Sequence, residues 1–229
     1  TNINLGGGNV TSGDWTLAST SGNGNAVATA NLTGGVITFS GAILRGADAV
    51  GGGTATGSVN LAGATLDMGG FAIGSATNGI TFSAQSGALR NVAAINGTAG
   101  LTKNGVGTLA LGGSSSYVGA TTVNAGKLTA TSLGDGIAAS ALGTSALTPA
   151  NLVFATGVTF GYAGSGETSA RGFTLGDSLT LESAGTGALA FTSAAKVAFA
   201  TTSAARSLTM TGAQAAANSF GVGLSDVAT

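Results

Sequence analysis

Apolar residues recur along this chain in short alternating runs, and a cluster of Gly, Asn or Ser follows most of them. Alternation with a period of two predicts β-strands that place every second side chain against a core, and the small polar clusters predict turns. Residues 1–33 show only a weak alternation, at 27–32. The expected strands cover residues 36–39, 59–62, 64–68, 80–82, 108–111, 121–123, 152–154, 158–160, 173–175, 179–181, 189–191, 197–199 and 208–210.

The strands that begin at Val36, Val59 and Ile80 are separated by 23 and 21 residues. Recurrence at about 20 residues is typical of a solenoid, and Asn-Gly pairs at 78, 96 and 104 predict tight turns. We therefore predict an all-β fold, a right-handed parallel β-helix (β-solenoid). It forms one unit over residues 1–229, with about ten irregular rungs, a rung being one turn of the coil. The rival fold is a Greek-key sandwich, in which the same strands would form antiparallel hairpins.

The alternation also predicts which side chains point into the coil, because neighbours along a strand face opposite sides. The expected inward residues are Leu109, Leu111, Val123, Leu128, Val153, Leu175, Leu179, Phe191 and Leu208.

Residues 134–149 break the strand pattern. Ile137, Ala138, Leu142 and Leu147 stand at near-helical spacing, so this stretch could form a short helix or a lateral loop that leaves the coil. A plain connecting loop is the simpler interpretation and is slightly favoured.

Composition narrows the class of function. The chain has 42 Gly, one Pro, 7% charged residues and a net charge of −1. Seven scattered Lys and Arg residues form no basic patch, so we expect no nucleic-acid partner. No apolar run approaches the ~20 residues of a membrane helix, so we expect no membrane insertion of this segment. The first residues do not resemble a signal peptide, and we expect a fragment or processed piece of a longer chain.

Residues suited to catalysis are sparse. The chain has no His and no Cys, which excludes catalytic triads built on them and thiolate metal sites. Asp177 and Glu182 are the pair that could project from neighbouring turns, and Asp67 is expected on the solvated side of its strand. We predict no catalytic residues and no enzyme. The eight carboxylates are Asp14, Asp48, Asp67, Asp135, Glu167, Asp177, Glu182 and Asp226.

We also predict no metal site and no cofactor. The glycines at 51–53 lack the following Asp of a calcium-binding nonapeptide, and the glycine-rich start lacks the Lys of a phosphate loop. Lys103 is expected to be solvated. Tyr117 could stack on a sugar, but a single aromatic residue in a turn is expected to pack on its own coil.

Residues 101–130 carry the most specific pattern in the chain, LTKNGVGTLALGGSSSYVGATTVNAGKLTA. They resemble the passenger-associated repeat of bacterial autotransporter proteins, roughly L-T-K-x-G-x-G-T-L-x-L-x-G, a polar turn, then Y-x-G-x-T-x-V-x-x-G-x-L. Ser115 stands where the family usually has Asn. The resemblance extends over about residues 100–212. The matching positions are Leu101, Thr102, Lys103, Gly105, Gly107, Thr108, Leu109, Leu111, Gly113, Tyr117, Gly119, Thr121, Val123, Gly126 and Leu128.

The resemblance implies a secreted or cell-surface bacterial β-helix, located extracellularly or at the outer-membrane surface. Such a segment would act without catalysis as a stalk, an adhesin segment or a structural element, with a host or matrix surface as its partner. One alternative stays open. The two ends of the chain carry only one charge between them, Asp226, and the ends of a coil are exposed sheet edges. Copies could therefore associate end to end by β-stacking and form an extracellular filament or sheath.

Overall fold

The computed structural model describes residues 1–136, 138–192, 194–200 and 205–222. Within these residues the chain forms nineteen strands, one short 3₁₀ helix (Pro149–Asn151) and no α-helix. No helix of the described part is long and apolar enough to cross a membrane. The strands are β1 (Asn2–Ser12), β2 (Trp15–Leu17), β3 (Ala26–Phe39), β4 (Ile43–Arg45), β5 (Ala55–Asp67), β6 (Thr81–Arg90), β7 (Leu101–Lys103), β8 (Thr108–Gly112), β9 (Thr121–Val123), β10 (Lys127–Ala130), β11 (Leu152–Phe154), β12 (Val158–Tyr162), β13 (Ser165–Ser169), β14 (Phe173–Leu175), β15 (Ser178–Ser183), β16 (Gly187–Phe191), β17 (Val197–Phe199), β18 (Ser207–Gly212) and β19 (Ser219–Phe220).

Each strand pairs with the equivalent strand one rung later, and all these pairings are parallel. The prediction of a parallel β-helix is confirmed, and the antiparallel hairpins of a sandwich are absent from the named strands. The coil has three faces. Face 1 contains the first parts of β1, β3, β5 and β6, then β7, β9, β11, β14 and β17. Face 2 contains their second parts, then β8, β10, β12, β15 and β18.

Face 3 contains the remaining strands. β2 pairs with β4, and the column continues through the bridges Ile43–Ile73 and Ile73–Ile95. All three isoleucines are at most 3% exposed. Further along, β13, β16 and β19 form a three-stranded sheet. Identical branched side chains therefore stack along the axis, which suits a core built one rung at a time.

One inward ladder of face 1 runs through nine rungs. Residues that follow one another in it are direct register partners, and all of its members except Lys103 are apolar. At the usual strand spacing, nine rungs extend about 40 Å. The members are Leu5, Leu32, Leu61, Ala84, Lys103, Val123, Phe154, Leu175 and Phe199.

The corner between faces 1 and 2 explains why the first half of the chain needs so many glycines. β3, β5 and β6 bend around this corner without a loop. Gly35 (φ 77°) and Gly87 (φ 103°) have left-handed backbone angles there. A Cβ on Gly35 would lie 2.2 Å from the Gly8 carbonyl oxygen, and one on Gly87 would lie 2.2 Å from that of Ala64. Only glycine permits both the angle and the close stacking of corners.

The core of the second half is aromatic. Ring centroids of Phe154 and Phe173 are 5.8 Å apart, and those of Phe173 and Phe191 are 5.9 Å apart. Phe191 lies 5.7 Å from Phe220. All three contacts are edge-to-face. The Phe173–Phe191 contact joins faces 1 and 3 across the coil, and such ring pairs stabilise the interior beyond simple burial.

Most of the inward residues were predicted correctly. Leu109, Val123 and Leu128 are 0% exposed, and Leu111, Leu175, Leu179 and Phe191 are buried. The prediction for Val153 is wrong. Leu152 and Phe154 point inward, so Val153 lies on the outside of β11. Leu208 is half-buried against the core.

The register differs from the expected one in the first half. Val59 pairs with Ala30 and Phe82, while Val36 lies on face 2 and pairs with Thr65. The expected strands at 59–62 and 64–68 are one bent strand, β5. The Gly- and Asn-rich start also forms a full strand, β1, for which the sequence showed no alternation.

Candidate functional site

Lys103 lies inside the coil, which corrects the expectation that it is solvated. It is 0% exposed, and its ammonium donates hydrogen bonds to the carbonyl oxygens of Gly105 and of Ala125, the latter at 2.9 Å. These carbonyls belong to the corner turns of two successive rungs, so one cation connects the two turns. Burial lowers the pKa of this lysine. The alternation in the sequence could have shown this, because Lys103 is two residues from the inward Leu101 and so points to the same side of the strand.

Tyr117 packs on its own coil, as predicted, and it is 1% exposed. A sugar cannot stack on a ring that solvent does not reach. Its hydroxyl shares a 2.8 Å hydrogen bond with the Thr121 hydroxyl, and burial raises its pKa to about 12. Lys103 and Tyr117, two positions of the motif at 101–130, therefore supply interior contacts.

The stretch between β10 and β11 forms a compact loop held on the coil. Within the range 134–149, the only described residues in a helix are those at its end, where the 3₁₀ helix Pro149–Asn151 begins. Ile137 lies outside the described residues. Leu142 is 1% exposed and Leu133 is 0% exposed. Glu167 on β13 accepts hydrogen bonds from the backbone N–H groups of Leu133 (2.8 Å) and Gly134 (2.7 Å). A carboxylate from the next rung thus holds the start of the loop.

Arg171 binds the same loop from inside the coil. It is 1% exposed, its Nε donates to the Leu133 carbonyl at 3.0 Å, and its Nη1 donates to the Ser145 hydroxyl at 3.0 Å. Its Nη2 is buried without a hydrogen-bond partner in the described part of the chain. Burial lowers the pKa of this guanidinium. No local pattern predicts this cluster, since Arg171 and Leu133 are far apart in the chain.

The central outward ladder of face 1 is mostly polar and carries no charge. It contains amides, hydroxyls and two small apolar residues, and no charged side chain lies among these positions in the described residues. Amides stack here, because Asn31 donates to Asn4 at 2.7 Å and Asn60 donates to Asn31 at 2.8 Å. The ladder is Asn4, Asn31, Asn60, Ser83, Thr102, Thr122, Val153, Thr174 and Ala198.

Face 2 differs because it is charged. Lys127 on β10 reaches over β12 to form an ion pair of 2.7 Å with Glu182 on β15. Gly161 lies beneath the lysine, and a Cβ there would be 3.3 Å from the lysine Cε. The small residue makes room for an ion pair that spans three rungs. Asp67 and Arg90 add further charges to this face.

The carboxylates discussed next form structural ion pairs and hydrogen bonds at separate places in the coil. Asp177 lies 3.6 Å from Arg206, whereas Glu182 pairs with Lys127, so the two do not form the facing pair considered from the sequence. Asp67 is half-buried and accepts from Asn91 at 2.8 Å. Asp226 lies outside the described residues. No group of three or more metal-ligating side chains occurs in the part of the chain that the structure describes.

Comparison with known proteins agrees with the repeat pattern. Residues 101–130 match the family model of the passenger-associated-transport-repeat. Over 213 residues the chain is 38% identical to the adhesin BmaC autotransporter of Brucella suis biovar 1 (strain 1330). The alignment covers 84% of this chain, well beyond the region where the resemblance was recognised, and 6% of that relative. No solved structure matches the chain significantly.

Proposed function

Since this chain is a segment of an autotransporter passenger domain, located outside the cell or at the outer-membrane surface, we propose that it is a non-enzymatic adhesin segment. It presents a long, regular surface to a host or matrix surface. The observation that carries the proposal is the similarity to a protein named an adhesin over 84% of the chain. The stacked core supports it, because a continuous ladder holds surface side chains at fixed spacing.

Face 1 is the contact surface in this proposal. Its outward amides and hydroxyls form hydrogen bonds without the desolvation of a charge, which is costly when an interface excludes water. The repeated spacing of about 4.8 Å along the axis also lets many weak contacts act together. On face 2, the charges of Lys127 and Glu182 already pair with each other.

The test uses fluorescent beads that carry the segment, applied to an epithelial cell monolayer under flow. Beads with the unchanged segment are expected to be retained above the level of albumin-coated beads. Thr102→Lys with Thr122→Lys adds two charges to face 1 and is expected to abolish retention. The matched control, Thr159→Lys with Thr180→Lys, adds the same charges to face 2 and should keep it.

Two results would contradict the proposal. Unchanged beads retained no better than albumin-coated beads would show that the segment is not adhesive. Equal loss in both double variants would show that face 1 is not the contact surface.

A further inference from the structure

Three Asn-Gly pairs occur in the chain, and they begin at Asn78, Asn96 and Asn104. An asparagine that precedes glycine can lose its side-chain amide without an enzyme, because glycine has no Cβ to shield its backbone nitrogen from the asparagine Cγ. The reaction also needs water at the site and a peptide bond that can turn toward the side chain. The surroundings of each pair therefore decide which of the three reacts in the folded chain.

The side chain of Asn96 is held away from its own glycine. Its Oδ1 accepts the Ile80 N–H at 2.9 Å, and its Nδ2 donates to the Ile80 carbonyl at 2.8 Å. Asn96 is also half-buried. Both polar atoms of the amide are bound to backbone elsewhere in the coil, so two hydrogen bonds must break before the Gly97 nitrogen can reach the Cγ.

Asn78 lies in a turn whose backbone is fixed. Its N–H donates to the Ser75 hydroxyl at 2.9 Å, and its carbonyl accepts from the N–H groups of Ser75 and Arg45, both at 3.3 Å. Asn78 is half-buried as well. Ring closure requires rotation of the peptide bond between Asn78 and Gly79 toward the side chain, and the bonds to the carbonyl oppose this rotation.

Asn104 has none of this protection. It is exposed at the corner between β7 and β8. Among the described residues, no group donates to its backbone carbonyl, and the Gly105 N–H has no acceptor. The Asn124 side chain donates to Oδ1 of Asn104 at 2.8 Å. This contact polarises the carbon that is attacked and leaves Nδ2, the leaving group, in solvent.

The packing of this corner also requires glycine at position 105. A Cβ there would lie 2.7 Å from the Gln85 carbonyl oxygen, which is closer than such atoms pack. A larger residue, which would shield the backbone nitrogen, therefore does not fit. The corner combines an exposed asparagine with a glycine that the fold cannot replace.

We propose that Asn104 is a site of spontaneous deamidation in the folded chain, and that the fold protects Asn78 and Asn96. The Gly105 nitrogen loses its proton to hydroxide and bonds to the Asn104 Cγ. The bond from Cγ to Nδ2 breaks, and Nδ2 takes a proton from water and leaves as ammonia. Water then opens the cyclic imide at either carbonyl and gives aspartate or isoaspartate. The product adds one negative charge beside face 1 to a chain whose net charge is −1.

The experiment follows the three pairs separately in the whole chain. Trypsin cleaves after Arg45, Arg90, Lys103 and Lys127, so the pairs fall in the peptides 46–90, 91–103 and 104–127. The folded protein is incubated for several weeks at neutral pH and then digested, and mass spectrometry measures the fraction of each peptide in which an amide has become an acid. We expect peptide 104–127 to be converted about tenfold faster than the other two, because hydrogen bonds must break first in the protected turns.

Two controls separate the fold from the local sequence. In urea, where the turns are unfolded, the three peptides should be converted at similar rates. Asn104→Gln should abolish conversion of peptide 104–127, because glutamine closes the corresponding ring far more slowly, and an unchanged circular dichroism spectrum is the folding control.

Three results would overturn the proposal. Peptide 46–90 or 91–103 of the folded protein could be converted as fast as peptide 104–127, or peptide 104–127 could be converted only in urea. Conversion could also persist in Asn104→Gln, which would place the reaction at Asn124. None of these results bears on bead adhesion.

Discussion

Buried and half-buried polar side chains act in this coil mainly as connections between rungs. Lys103 joins two corner turns, and the Asn96 side chain both accepts from the Ile80 N–H at 2.9 Å and donates to its carbonyl at 2.8 Å. In the second case a side-chain amide replaces a missing strand partner. Such contacts satisfy backbone groups that a thin core would otherwise leave unpaired.

The register of β8 can be tested at one residue. Leu109 is 0% exposed, so Leu109→Asp buries a carboxyl group among apolar side chains and should lower the free energy of unfolding by several kcal/mol. Urea denaturation measures this change. Thr108→Asp is the matched control, because Thr108 is exposed on the same strand and should change stability by less than about 1 kcal/mol. Similar losses in both variants would mean that the assigned register is wrong.

The burial of Tyr117 should make the free energy of unfolding depend on pH. Its pKa is raised to about 12, so the folded state keeps its proton where the unfolded chain loses it. The stabilisation is therefore complete below the unfolded pKa near 10 and is lost as the pH rises through 12. A shift of this size corresponds to about 3 kcal/mol.

Chemical denaturation between pH 9 and pH 12 checks this expectation. The free energy of unfolding of the parent should fall across this range more steeply than that of Tyr117→Phe, which has no proton to lose. Parallel curves for the two proteins would show that the Tyr117 hydroxyl is accessible to solvent in the folded state.

Among the elements, the short strands were predictable and the bent ones were not. β9, β12, β14 and β15 each have clear alternation, and their positions agree with the sequence. β1 has a run of three glycines at its corner, and its strand form depends on pairing with β3. Local propensity cannot show such pairing, because it depends on a neighbour 27 residues away.

The misassigned residues have identifiable physical causes. Leu152-Val153-Phe154 is a continuous apolar run, and such a run does not tell which parity faces the core. Lys103 was expected to be solvated because it is a lysine, although the alternation along its strand places its side chain inside the coil. The loop between β10 and β11 and its contact with Arg171 depend on packing between residues that are distant in sequence, so no local pattern indicated them.

The conformation of the loop between β10 and β11 should depend on Arg171. Arg171→Met removes the hydrogen bonds to Leu133 and Ser145 and should lower the free energy of unfolding by roughly 2–4 kcal/mol. Hydrogen exchange measured by mass spectrometry should become faster in peptides that cover residues 131–149. Arg90→Met, at an exposed position of β6, is the control and should leave exchange in the loop unchanged. Unchanged exchange in Arg171→Met would mean that the loop does not need this anchor.

At the scale of the whole molecule, stability and display follow from one stacking rule. Each rung contacts mainly its neighbours, so the interior ladders and the outer amide and hydroxyl ladders share one register. A shift by one residue in any rung would exchange the inner and outer side chains of that rung. The stacked register is thus the central claim of this account. It is hardest to maintain across the rung between β9 and β11, because that rung contains the long loop between β10 and β11.

Disulfide formation tests that register most directly, because the chain has no cysteine of its own. Thr122 and Val153 are register partners on the outside of face 1, and adjacent parallel strands bring Cα atoms within the range that a disulfide accepts. Thr122→Cys with Val153→Cys should form an intramolecular disulfide under mild oxidation, seen as a mass loss of about 2 Da relative to the reduced protein. Thr122→Cys with Phe154→Cys, whose side chains lie on opposite sides of the sheet, should stay reduced. A disulfide in the second pair, or its absence in the first, would contradict the stacked register.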